Sequence, residues 1–312
     1  MHFIDAQDLA RVLDYAALVN ALEVAFRGSV TVPKRHHHTV PVADGQDATL
    51  LLMPAWDATY LGIKTATVMP ENGTLGLPGV HANYQLLDRR TGAVLAFLDG
   101  VELTARRTAA ASALASRYLS RMEAARLLVV GTGTLAPHLI RAHASQRALT
   151  HVRVWGRRPE RAASVADGLD LPGVTVETVS DLRSAVSDAD IISCATLSLE
   201  PLIYGEWMSP GQHLDLVGGF TPHMREADDT AIAKARVFVD TYDAVHTSGD
   251  ICDPLKHGVI SDADILGTLY TLTLGEAPAV RPEGNEITLF KSAGTAIEDL
   301  AGAVLAYEKM RG

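Results

Sequence analysis

With two cysteines in 312 residues, Cys194 and Cys252, the chain has neither a disulfide framework nor a thiolate metal site. Both are expected at buried apolar positions in a reducing compartment. Positive charge is also in deficit, with 27 Lys and Arg against 37 Asp and Glu and a formal net charge of −10. That balance repels polyanions, so nucleic acid and membrane surfaces are excluded as general partners, while a local basic patch for a small anion stays open. Long hydrophobic runs are missing too. The stretch 127–130 is typical of the longest and falls far short of a membrane span. The opening MHFIDAQDLARVL has no basic region followed by an apolar run, so it does not read as a signal peptide, and a cytoplasmic location is expected. No repeat and no low-complexity linker is found. What is present is globular in kind, 47% hydrophobic and 21% charged, and long enough for two domains or one large α/β unit.

Apolar residues Leu9, Val12, Leu13, Ala16, Val19, Leu22 and Phe26 recur at helical spacing and predict a helix over 5–30. Short strands are predicted at 49–54, 61–68, 80–87 and 94–99, separated by turn clusters such as Glu71-Asn72-Gly73, and an Ala-rich helix at 102–119. After Glu123 the pattern changes to strands alternating with helices. Strands are expected at 126–131, 151–156, 174–179, 191–194, 213–217 and 237–240, with helices near 134–146 and 158–169. This alternation predicts an α/β fold with a Rossmann-type, doubly wound parallel sheet. A last helix over 295–310 is expected to return to the first domain.

The sharpest local signal is Leu127-Leu128-Val129-Val130-Gly131-Thr132-Gly133-Thr134-Leu135-Ala136, a G-x-G-x-x-A that leaves an apolar strand and opens a helix. Gly131 allows the tight turn, Gly133 lets a pyrophosphate approach the backbone, and Ala136 permits close helix–strand packing, with the helix N-terminus facing the phosphates at Thr134. The tip of the next strand reads Trp155-Gly156-Arg157-Arg158-Pro159 and offers no acid for a ribose 2′-hydroxyl. Two guanidiniums can instead clamp a 2′-phosphate, which favours NADP(H) while NAD remains possible. The alternative is that Arg157 and Arg158 are solvated loop charges.

The whole chain resembles the ornithine cyclodeaminase/μ-crystallin family. The resemblance is carried by Leu50-Leu51-Leu52-Met53-Pro54-Ala55, Gly62-Ile63-Lys64, Leu98-Asp99-Gly100 and Leu103-Thr104-Ala105-Arg106-Arg107-Thr108-Ala109-Ala110-Ala111-Ser112. The dinucleotide motif, Val217-Gly218-Gly219-Phe220-Thr221-Pro222 and Leu289-Phe290-Lys291-Ser292-Ala293-Gly294 complete it. The resemblance implies a homodimer whose subunits have a discontinuous α+β substrate and dimerisation domain, 1–120 completed by 288–312, and an NAD(P)-binding domain at 121–287. It implies a substrate with an α-carboxylate beside the carbon that exchanges hydride, gripped by Arg35, Lys64 and Arg107, with Lys64 also catalytic near the reacting nitrogen. It further implies cofactor contacts from Thr108, Thr196, Val217 and Lys291.

The residues agree in part by themselves. Lys64 lies in an apolar strand with Leu61, Ile63, Ala66 and Val68, where a buried lysine needs an anion or loses its proton. Arg107 is followed only by small residues, as expected where a backbone passes close to a ligand. Arg35, in a His-rich neighbourhood, reads equally as a rim charge. Adjacent histidines on an extended chain point to opposite faces, so His36, His37 and His38 do not chelate one ion together, and no metal site is expected. One of them, or His81, can line a substrate pocket.

The cyclodeaminases carry Asp after the paired glycines, to handle the substrate's amino group; here Phe220 stands at that place and His223 departs from many reductase relatives. Asp228 and Asp229 read as a solvated helix start. The expected reaction is therefore NAD(P)H-dependent reduction of a cyclic imino acid, Δ1-pyrroline-2-carboxylate or Δ1-piperideine-2-carboxylate, to L-proline or L-pipecolate. Lys64 or an ordered water is the candidate proton donor. Two alternatives stay open: deamination of the ornithine cyclodeaminase or alanine dehydrogenase kind, and a non-catalytic, crystallin-like NADP-binding protein.

Overall fold

The computed structural model describes residues 1–43, 45–281 and 284–311, so Gly312, the last residue of the expected first domain, lies outside the described residues. The chain divides into two compact units, Met1–Arg107 with Thr295–Gly312, and Thr108–Gly294. The first division falls inside a helix and the second follows a strand.

The first unit is built on six strands: β1 (His2–Ile4), β2 (His36–Val40), β3 (Ala48–Trp56), β4 (Tyr60–Val68), β5 (Val80–Asp88) and β6 (Val94–Asp99), in the order β1-β6-β5-β4-β3-β2. All neighbours are antiparallel except β1 and β6. The helix predicted over 5–30 is two helices, α1 (Ala6–Val12) and α2 (Tyr15–Arg27), because two aspartates each start one. Asp5 accepts from the Asp8 amide and Asp14 from the Ala17 amide, so the apolar period continues while the backbone restarts. Leu18, Val19, Leu22 and Phe26 of α2 are buried, and the C-terminal helix Ala296–Arg311 packs on α2, β3, β4 and β5. Helix α3 (Gly100–Leu119) starts on Asp99, whose carboxylate accepts from the amides of Val101 and Glu102 at 3.0 and 2.8 Å. A Cβ at Gly100 would lie 2.6 Å from the Ala82 carbonyl carbon, so only glycine lets α3 leave β6 so close to β5. Leu98-Asp99-Gly100 is thus a strand end, a cap and a close approach.

The second unit is a Rossmann-type sheet of eight strands, all parallel: β7 (Arg126–Val130), β8 (His151–Trp155), β9 (Thr175–Thr178), β10 (Ile191–Cys194), β11 (His213–Leu216), β12 (Ala235–Val239), β13 (Ile265–Thr268) and β14 (Ile287–Lys291). Their order is β9-β8-β7-β10-β11-β14-β12-β13. Chain order reverses between β7 and β10, the place where such sheets open a crevice at their carboxyl ends. β14 is not among the strands expected from the sequence, yet it hydrogen-bonds between β11 and β12 and brings residues 288–291 into this sheet. Cys194 is buried as expected, whereas Cys252 is only half-buried. No helix among the described residues is long and apolar enough to cross a membrane.

Candidate active site

In the first unit Lys64 and Arg107 come together on one carboxylate. Lys64 projects from the middle of β4 and Arg107 from the second turn of α3, and both side chains are about as buried as the apolar core. The Lys64 Nζ donates to Asp299 Oδ1 at 3.0 Å and lies 2.8 Å from Oδ2, so the ammonium sits across both oxygens. The Arg107 Nε donates to the same Oδ1 at 2.8 Å, and its Nη1 donates to Glu298 Oε2 at 2.5 Å. No hydrogen bond from Arg107 Nη2 is found among the described residues. Burial, then the neighbouring Arg107 charge, pulls the Lys64 pKa from 10.5 down to about 8, with Asp299 and Glu298 opposing. Burial also pulls on Arg107, but the Asp299 and Glu298 carboxylates outweigh it and hold its pKa above the ordinary value.

Glu298 and Asp299 were not singled out by the sequence reading. The available signal was two adjacent acids in the apolar first turn of the C-terminal helix, Ala296-Ile297-Glu298-Asp299-Leu300, where both are wholly buried and therefore need cations. Tyr84, opposite Lys64 across β4 and β5, was also missed. Its hydroxyl is buried without a hydrogen-bond partner among the described residues and lies over Gly62, where a Cβ would be 1.9 Å away. Burial, then Asp299 and Asp57, raises its pKa well above 10.

Arg35 is half-buried just before β2. His36, His37 and His38 form the exposed strand β2, with His36 and His38 on one face, ring centroids 6.2 Å apart. Among the described residues no group of three His, Cys, Asp or Glu is placed to hold a metal ion. His81 is exposed. A cavity of about 470 Å³ by α2 and the C-terminal helix is lined by Val24, Ile297, Leu300 and Val304 with Asp57 and Glu308 but by no cation. It is therefore not where a carboxylate is held.

In the second unit the glycine motif folds as a tight turn between β7 and a helix. Gly131 ends β7 at φ 124°, and a Cβ there would lie 2.5 Å from the Ala195 carbonyl oxygen. A Cβ at Gly133 would meet nothing within 4 Å, so the space above the turn is open. Thr134 is exposed at the start of α4 (Leu135–Ala144), and Ala136 is wholly buried beneath it. The open turn, the free helix start and the glycine fit a pyrophosphate. Arg157 and Arg158 are exposed at the tip that follows β8, with no carboxylate beside them among the described contacts. Thr108 is half-buried in α3.

The carboxyl ends of β10, β11 and β14 hold the other expected cofactor residues. Thr196 is half-buried and donates through both its amide and its hydroxyl to Glu226. Val217 is buried, and Lys291 is wholly buried with its Nζ 3.4 Å from Asp250 Oδ2. Glu226 and Asp250 were missed by the sequence reading. Phe220 is exposed, as is His223. Asp228 caps the helix Asp229–Lys234, and Asp229 pairs with Arg225, in keeping with a helix start. Deeper in the sheet, Asp215 accepts from Ser112 and Ser193 at 2.9 and 2.6 Å.

The family described as ornithine cyclodeaminase/mu-crystallin matches residues 2–312. A Delta(1)-pyrroline-2-carboxylate reductase of Colwellia psychrerythraea is 35% identical over 316 residues, 99% of each chain. The solved structure of the Thermococcus litoralis Delta(1)-pyrroline-2-carboxylate reductase in complex with NADH and L-proline aligns with a TM-score of 0.92 at 34% identity, covering 100% of this chain and 98% of that one. An archaeal alanine dehydrogenase dimer with bound NAD aligns with a TM-score of 0.91 at 27% identity, covering 100% of this chain and 96% of that one.

Proposed function

The chain belongs to the ornithine cyclodeaminase/mu-crystallin family, and on that premise we propose that it reduces a cyclic imino acid with NAD(P)H, converting Δ1-pyrroline-2-carboxylate or its six-membered analogue to L-proline or L-pipecolate. The observation that carries this reading is the buried lysine and arginine sharing Asp299. It is joined by the 35% identity to a reductase of that name over nearly the whole chain.

In the reaction the imine carbon takes a hydride and the imine nitrogen a proton. Bound NAD(P)H supplies the hydride. Gly131, Gly133, Thr134 and Ala136 hold the pyrophosphate, and Thr108, Thr196 and Val217 are the proposed further contacts. The wholly buried Lys291 acts through Asp250 rather than by direct contact. Arg107 Nη2, the donor its own acids leave unbonded, takes the substrate carboxylate, and Arg35 adds a second positive charge. Lys64 holds the proton for the imine nitrogen. An ammonium of pKa about 8 is charged at neutrality yet gives up its proton readily, as a general acid should. Asp299 keeps that ammonium in place.

NADPH is the proposed preferred cofactor, because Arg157 and Arg158 stand where an NAD site carries an acid. The assembly is proposed as a homodimer, and the cytoplasm as its compartment. The test is an NADPH- and NADH-oxidation screen with Δ1-pyrroline-2-carboxylate and Δ1-piperideine-2-carboxylate, with chiral analysis of the product. Oxidation yielding L-proline or L-pipecolate is expected. Ornithine turnover to proline and ammonia, with the cyclic imines untouched, overturns the reading.

A further inference from the structure

Glu226, Asp250 and Lys291 are all wholly buried, and they meet at the carboxyl ends of β10, β11 and β14. Glu226 is there for its oxygens. Oε1 accepts from the Thr196 amide at 2.7 Å and the Thr196 hydroxyl at 2.9 Å. Oε2 accepts from the Gly218 amide at 2.8 Å and the Gly219 amide at 3.3 Å. An ionised carboxylate is an acceptor only and has room for all of these donors, whereas a protonated one would turn an O–H toward them. One side chain thus straps the loop that leaves β10 to the loop that leaves β11.

The strap is itself held from behind. The Glu226 amide donates to Asp250 Oδ1 at 2.7 Å, joined by the Ala227 amide at 3.2 Å. Asp250 Oδ2 faces Lys291 Nζ at 3.4 Å, and neither of these atoms has a hydrogen-bond partner among the described residues. A Cβ at Gly218 would lie 2.0 Å from the Thr196 carbonyl oxygen and 2.6 Å from Glu226 Oε1, so the two loops touch and no side chain fits.

In a doubly wound sheet one mononucleotide half of the cofactor lies over the strands on each side of the point where their order reverses. Here β7 and β8, with Gly131 and Arg157, serve the adenylate half, which leaves the ends of β10 and β11 for the nicotinamide half. We propose that Glu226 is a positioning residue for the nicotinamide ring of the cofactor, fixing the Thr196 and Val217–Gly219 loops through a single shared carboxylate. This rests on the proposed nicotinamide cofactor.

Glu226→Gln keeps the size of the side chain but turns an amide N–H2 against amide donors. NADH and ADP-ribose share every part of the cofactor except the nicotinamide and its bond to ribose. Their dissociation constants, by calorimetry on wild type and variant, separate positioning from general support of the fold. The variant is expected to lose about tenfold or more in NADH affinity, as for lost hydrogen bonds to a charged group, with ADP-ribose affinity unchanged. Equal losses for both ligands, or no loss for either, overturn the strap. A wild-type protein that binds neither of these ligands and no NADPH overturns the cofactor reading itself.

The wild type supplies a second arm if the variant does not fold. Burial pushes the Glu226 pKa up to about 7, with Lys291 and the Thr196 donors opposing and Asp250 adding to the rise. Lys291 and Asp250 are the charged groups that face it. NADH affinity is then expected to fall as pH drops below about 7 while ADP-ribose affinity stays level; parallel curves overturn the proposal.

Discussion

In the first unit one carboxylate, Asp299, touches two cations, and Arg107 keeps Nη2 without a hydrogen bond among the described residues. In the second unit Glu226 is saturated by four donors from Thr196, Gly218 and Gly219, and it is the Lys291 ammonium that has no hydrogen bond. Both clusters are buried and both mix acids with a lysine. The first uses acids to fix cations while leaving a donor for an outside anion. The second uses an acid to fix backbone. What a buried charge contributes is therefore read from which of its partners remain unmatched, and not from its sign or its burial.

Breaking the acid in each cluster gives the largest expected effect and tests that distinction. Asp299→Asn leaves Lys64 and Arg107 facing each other with Glu298 alone to neutralise them, and is expected to destabilise the protein by about 3–5 kcal/mol. Asp250→Asn keeps the acceptor oxygen for the Glu226 and Ala227 amides and faces an ammonium at the longer distance of 3.4 Å. Its expected loss is smaller, about 1–2 kcal/mol. Denaturant unfolding of both variants decides. Equal losses would show that the clusters are held alike.

The next effect concerns Arg157. If its guanidinium meets a 2′-phosphate, Arg157→Ala should weaken NADPH by roughly 10- to 150-fold, the value of a charge-assisted contact, and leave NADH within a factor of about two. Titration with each cofactor separates the two outcomes. Equal affinity of wild type for NADPH and NADH would make Arg157 and Arg158 solvated loop charges after all.

Much of this architecture is legible in the sequence, and the part that is not has one physical cause. β7, the Gly131–Ala136 turn and α3 are read directly, because apolar period, turn glycines and small residues are local signals. The break between α1 and α2 was missed although Asp14 is an ordinary cap, because the apolar period runs through it. Lys64 and Arg107 stand out as cations in apolar surroundings. Their partner Asp299 does not, since it lies 235 and 192 residues away from them and an acid beginning a helix normally faces water. Glu226 was hidden in the same way, within an Arg-Glu-Ala-Asp-Asp run that looks like surface. β14 was lost because Thr288 and Lys291 interrupt its apolar run, and a lysine is seldom wholly buried unless paired.

Lys64 offers a smaller test within the first cluster. Its pKa of about 8 means that kcat/KM for imine reduction should fall above pH 8, by about tenfold per unit, as the ammonium loses its proton. Lys64→Arg keeps a cation that does not titrate in this range, so activity is lower throughout but the falling limb disappears. A limb that persists unchanged in Lys64→Arg belongs to the imine itself, and Lys64 is then not the donor.

The smallest expected effect is at Phe220, where the cyclodeaminases of the family carry an acid. Phe220→Asp is expected to give no proline from ornithine and to leave unfolding within about 0.5 kcal/mol of wild type, as at an exposed surface position. The reason lies in what surrounds the position. Residue 220 is 52% exposed, so a new carboxylate there is solvated and keeps its ordinary acidity, too weak a base for an ammonium substrate. The amides that precede it, Gly218 and Gly219, already donate to Glu226, so they cannot aim a second carboxylate. Proline release from ornithine by this single variant, assayed with NAD, would mean that the acid alone makes a cyclodeaminase and that the strap behind the glycines does not constrain the loop.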